Sequence, residues 1–301
     1  MEGFMIKQQS PTITQANILF FITAVITLAG SAFFQPKLGI GTNLWINEFV
    51  YILFPPLLLA RLNGWPVEDV YRFRKTTTRN KVISIFSGLS LWFFAFYISK
   101  ITHVLLDQIG ALENPLQTSP SIYQSLLLVI GMIVLAPICE EIFFRGLVQK
   151  AYEGSFHRFG FVIAALLFGS YHVLNGISEV IPAFILGLGM GYLVYKTDSI
   201  ATSMLFHATA NICAVLLGGA IDTATKGVIP AWLHAIAFAY LGLSVVLLRS
   251  LKGETQSNGN YNEVYTDKRA SAAGVFFFVL AAMFFAAVGI MEILVRLGIL
   301  S

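Results

Sequence analysis

Apolar residues run through this chain in long unbroken stretches, and the polar positions fall mostly between them. A bilayer core of roughly 30 Å needs about 20 apolar residues in a helix. Nine stretches approach that length: 18–34, 44–60, 82–106, 122–147, 160–174, 180–195, 199–218, 230–248 and 272–296. They are continuously apolar and do not alternate in ten-residue units, so they predict helices and not a barrel. The fifth is short, and only Lys196, Thr197 and Asp198 separate the sixth from the seventh. The pattern predicts an all-α, polytopic transmembrane bundle of nine spans, or eight if one segment is re-entrant. Gly253 to Asp267 is the one linker-like stretch, and residues 1–301 read as a single integral membrane domain.

Composition removes the soluble alternative. Hydrophobic residues make up 56% of the chain and charged ones 12%, where soluble domains carry about 25% charge. A net charge of +3, from 19 basic and 16 acidic residues, is too mild for a nucleic-acid binder. Cys139 and Cys213 both lie in apolar stretches, so neither a disulfide framework nor a cysteine-rich zinc site is expected.

The basic residues also orient the spans. With the N-terminus placed inside and the spans alternating, 15 of the 19 fall in inner segments around Lys7, 61–81, 145–158, Lys196 and 249–269. Only Lys37, Lys100, Lys226 and Arg296 fall outside. This bias predicts an integral protein of the cell membrane with a cytoplasmic N-terminus. The first span reads as an uncleaved anchor, since Lys7 is the only basic side chain ahead of it.

Polar side chains inside apolar runs are costly and mark function by default. They concentrate at Glu140-Glu141 with Arg145, at His172, and at His207 with Asn211, on three separate helices. Helical neighbours point about 100° apart, so the two glutamates cannot aim at one cavity. Glu141 and Arg145, four apart, share a face in the favourable order, which leaves Glu140 for chemistry. Phe168 shares a face with His172, and His207 with Asn211. Each group alone has a plain reading: a solvated helix end, an interfacial histidine, an interhelical clasp. Together, a carboxylate, two imidazoles and an amide can activate water and hold an oxyanion. There is no Gly-x-Ser-x-Gly or His-Glu-x-x-His segment. Cys139 is a poor nucleophile beside a carboxylate.

Glu140-Glu141-Ile142-Phe143-Phe144-Arg145, Phe168-Gly169-Ser170-Tyr171-His172 and His207-Ala208-Thr209-Ala210-Asn211 resemble, in order, the Glu-Glu-x-x-x-Arg, Phe-x-x-x-His and His-x-x-x-Asn motifs of the CAAX-prenyl endopeptidase and bacteriocin-processing (CPBP) membrane proteins. The resemblance covers about residues 122–218. It implies an intramembrane, glutamate-type endopeptidase with a cavity inside the bundle. Glu140 and His172 would activate water, His207 and Asn211 would stabilise the oxyanion, and Glu141, Arg145 and Phe168 would support the site. The implied partners are the lipid bilayer and a membrane-associated protein or peptide, with a prenylated Cys-a-a-X chain as one class. No cofactor is expected, although one glutamate and two histidines would suffice for zinc. A non-catalytic partner-binding or immunity protein on the same fold is the alternative. A transporter is weaker, since Gly187, Gly189 and Gly191 suit ordinary helix packing.

Depth poses a problem for this site. His172 lies some twelve residues, roughly 18 Å, into the fifth span, whereas Glu140 lies near the inner end of the fourth. Their meeting requires the fifth helix to be displaced or steeply tilted. The cavity is then expected to open to the cytosol and sideways to lipid.

Overall fold

The computed structural model describes residues 10–112, 120–225, 229–253 and 270–300, and the polar 254–267 stretch lies outside them. Among the described residues all regular structure is helical, with no strand. Helix α1 spans Ile13–Leu38, with Thr12 and Gln15 forming a reciprocal capping box. Gly39, at φ 85°, turns the chain directly into α2, Ile40–Asn63. A left-handed Gly64 ends α2, and α3 follows over Thr78–Ile109, its first turn capped by Thr77. Helix α4 covers 122–156, and the chain reverses at His157 (φ 45°) into α5, Gly160–Tyr171. Then come α6, Val180–Thr197; α7, Ile200–Thr225; α8, Ala231–Arg249; and α9, Ala272–Arg296.

Eight of these runs are long and apolar enough to cross a membrane when 122–175 is taken as one. That run folds back on itself. Its second arm is a 12-residue helix, about 18 Å long, continued by two 3₁₀ turns at His172–Asn175 and Ile177–Glu179. The expected choice between eight and nine spans thus resolves into eight long passes and one broken one.

The ends of the helices gather at two faces. At one, Thr14 meets Ser271, Gln15 meets Asn63, Arg79 donates to the Ser250 carbonyl, and Arg74 pairs with Asp198 at 2.6 Å. This face carries the basic loops. At the far face Gln124 bonds the Leu38 carbonyl, Arg296 the Gly110 carbonyl, and Glu292 the Ile177 amide. Small residues let α6 into the centre: a Cβ on Gly187 would lie 3.2 Å from Ala165, and one on Gly191 3.0 Å from Phe161. Large side chains of α8 and α9, such as Phe238, Val246, Phe276 and Met283, point outward, as a lipid-facing shell requires.

Candidate active site

Wide, π-type turns interrupt α2 at Asn47–Leu53, α4 at Gly131–Leu135 and Ile142–Val148, and α7 at Ala214–Gly218. Such turns free backbone carbonyls and re-aim the side chains around them. In α4 the Ala136 amide reaches back five residues to the Gly131 carbonyl. By the same step the partner of the Met132 carbonyl would be the amide of residue 137, which is proline and has none. Asn211 Nδ2 fills the gap, donating to that carbonyl at 2.7 Å. This bond pins α7 to α4 beside the site.

Glu140 lies 9% exposed on the wall of a cavity of about 790 Å3, whereas Glu141 is fully buried. His172, His207 and Asn211 line the same cavity. Glu141 Oε1 accepts from Arg145 Nη1 at 2.9 Å and from His207 Nδ1 at 3.1 Å. His207 Nε2 then faces Glu140 Oε2 at 3.9 Å. The helix phase assigns Glu141 to Arg145 alone; the buried carboxylate also orients the imidazole. Arg145, itself fully buried, donates to the Gly187 carbonyl at 3.3 Å and lies 4.4 Å from the Phe168 ring. Phe168 in turn contacts His172, with centroids 4.5 Å apart, and the edge of His207 at 6.0 Å. The Nδ1 of His172 lies 2.8 Å from the Phe168 carbonyl, which can only accept, so Nδ1 carries a proton and, in the neutral ring, the lone pair is on Nε2.

The length of α4 removes the depth problem. It runs to Phe156 and not to 147, and the start of α5 packs on it at Glu153, 2.5 Å from a Cβ placed on Gly160. From Glu153, twelve residues of return bring His172 back to the level of Glu141. The fifth helix is therefore displaced along its axis toward the basic face.

The structure shows no opening at the face of the basic loops, where the sequence places one. Toward the basic face the space beneath Glu140 is filled by Phe143, Phe144, Arg145, Leu147 and Gln149, each no more than 1% exposed. The cavity runs the other way, past His103 and Asp107 of α3, Glu179 before α6 and Asp222 of α7. Their side chains are 40–65% exposed, so its polar mouth is at the far face. Arg145 and Glu141, both fully buried, are part of this packing.

Sequence reading missed Glu48. It stands in the wide turn of α2, 3% exposed, on the same cavity wall. Its signal was present, a carboxyl amid Trp45, Phe49, Val50 and Ile52. Lys100, paired with Asp222 at 2.5 Å, was likewise a charge within an apolar run. Cys139 and Cys213 are buried free thiols. Among the described residues, no three His, Cys, Asp or Glu side chains are grouped to hold a metal ion.

Residues 122–213 match the family model described as type II CAAX prenyl endopeptidase Rce1-like. The motif-bearing core is similar to this family. This agrees with the resemblance drawn from the three motifs, and the match ends two residues beyond Asn211. The UPF0177 protein YajF of Lactococcus lactis subsp. lactis (strain IL1403) is 26% identical over 181 residues, 59% of this chain and 81% of the relative. No solved structure matches. The chain is thus an all-α integral membrane protein with a CAAX-protease-like core, and Glu48 lies outside the Rce1-like segment.

Proposed function

We propose that this protein is an intramembrane endopeptidase that hydrolyses a peptide bond of a membrane-associated substrate, of which a prenylated Cys-a-a-X chain is one class. The carrying observation is that Glu140, His172, His207 and Asn211 line one cavity, with both imidazoles held through Nδ1. Glu140 takes a proton from a water held against the Nε2 lone pair of His172, and the water oxygen attacks the scissile carbonyl. His207 has spent Nδ1–H on Glu141, so donation to the oxyanion requires a second proton on Nε2. That proton is matched by Glu140 across 3.9 Å. Asn211 Nδ2 has one N–H left after the Met132 bond and adds it to the oxyanion. Collapse of the adduct breaks the C–N bond, and the proton on Glu140 passes to the leaving amine. No covalent intermediate or metal is required. The N-terminus and basic loops lie on the cytoplasmic side of the cell membrane.

The second reading is a non-catalytic, partner-binding membrane protein. The bond of Asn211 to the Met132 carbonyl favours it, because it gives a motif residue a purely structural task. Detergent-purified protein incubated with a fluorogenic peptide series, beside Glu140→Gln, separates the two. Cleavage by the parent and a loss of 10²-fold or more in the variant are expected. Equal rates, or no cleavage of any peptide by either, would leave the binding reading.

A further inference from the structure

The cavity wall is rich in carboxyl groups. Glu48, Asp107, Glu140, Glu179 and Asp222 line it, and among the described residues Lys100 is the one Lys or Arg side chain that does. Those near the mouth have partners: Asp222 has Lys100, Asp107 has Arg296 Nη1 at 3.4 Å, and Glu179 has His103 Nε2 at 3.8 Å. Deeper in, Glu140 has the His207 ring. Glu48 has no cation among the described residues: it is 3% exposed, and its Oε2 has no hydrogen-bond partner among them. A buried carboxylate without a partner is strongly disfavoured, and a second carboxylate on the same wall adds repulsion. A positive charge brought by the ligand would relieve both.

We propose that the cavity takes a cationic peptide segment, entering from the far face, whose Lys or Arg side chain is held by Glu48 beside Glu140. The basic loops lie at the opposite face, so the segment belongs to an exported or membrane-anchored chain on the non-cytoplasmic side. A free C-terminal carboxylate is repelled by the same wall, which narrows the substrates proposed above to chains cut away from their C-terminus and sets the Cys-a-a-X class aside. The proposal rests on the endopeptidase reading only for the cleavage step, and binding stands without it.

The test is cysteine protection in right-side-out vesicles, with Val104→Cys at the mouth, Lys252→Cys at the basic face and a membrane-impermeant maleimide. Cys139 and Cys213 of the parent are buried and give the background. Three decapeptides of equal apolar content, with two lysines, two serines or two glutamates, serve as probes. Val104→Cys is expected to react from outside and Lys252→Cys only after inversion. The lysine peptide slows labelling at the mouth and the others do not. Adding Glu48→Gln weakens that protection roughly tenfold or more. An unchanged labelling rate without peptide shows that this variant is folded. Reaction of Val104→Cys only from inside overturns the entry route. No protection, protection that ignores peptide charge, or protection that survives Glu48→Gln overturns the ligand class. Labelling needs no turnover, so lysine-selective protection without cleavage would remove the peptidase reading alone.

Discussion

At the scale of single residues, two adjacent glutamates have opposite duties. Glu141 neutralises a fully buried Arg145 and fixes His207, while Glu140 faces the cavity. Glu141→Leu is therefore expected to cost about 3–5 kcal/mol of stability, because it strands a buried guanidinium. Glu140→Gln, at a cavity wall, should leave the unfolding midpoint near that of the parent while removing activity. Thermal unfolding in detergent beside the peptide assay checks the pair; equal destabilisation by both would refute the division. Activity is also expected to survive a strong chelator, since no three donors converge among the described residues. Inactivation by the chelator, restored by zinc, would refute a metal-free water activation. The helix phase of Glu140, Glu141 and Arg145 was legible in the sequence because i and i+4 share a face. The bond from Glu141 to His207 was not, since it spans 66 positions and depends on how two helices pack. Glu48 was legible as a charge among apolar residues and escaped because nothing four residues away pairs with it.

At the scale of elements, proline and wide turns set the geometry of α4. Pro137 leaves the Met132 carbonyl to Asn211, so the two residues should be thermodynamically coupled. Asn211→Ala is expected to destabilise by about 1 kcal/mol. In a Pro137→Ala background, where a backbone amide is restored, it should cost measurably less. A double-mutant cycle on unfolding free energies reads the coupling, and strict additivity would mean that the amide does not replace the missing N–H. Close approach is the other constraint. A Cβ on Gly88 would lie 2.5 Å from the Phe206 carbonyl oxygen, next to His207. Gly88→Ala should then push α3 and α7 apart, cost about 1–3 kcal/mol, and lower activity beyond its effect on stability. Parent-like unfolding and rate would show that the helices can give way. None of the wide turns was legible from hydropathy, because a five-residue step leaves no mark in an all-apolar run. Hydropathy also ends the fourth run at 147, whereas the helix continues through polar residues to Phe156, and the depth of His172 looks inconsistent only against the shorter run.

At the scale of the whole molecule, the apolar runs and the basic residues describe the same object from two sides. Hydropathy marks nine runs, and the helix ends sort into one face with Arg72, Arg74 and Arg79 and another with Gln124, Glu292 and Arg296. The side on which the cavity opens was not legible, because it depends on which end of the bundle is filled. Arg145, Gln149 and their aromatic neighbours fill the basic end; the far end is left to ion pairs with exposed carboxylates. Orientation in the membrane therefore decides which compartment meets Glu140. Reporter fusions after residue 76 and after residue 120 test it, the first in a loop of the basic face and the second at the start of α4. A fusion active only in the cytoplasm is expected at 76, and one active only outside it at 120. The opposite pair of results would turn the mouth toward the cytoplasm while leaving every distance in the site unchanged. The carboxyl-lined entrance would then receive cytosolic chains, and the preference for a cationic segment would be tested with peptides added from that side.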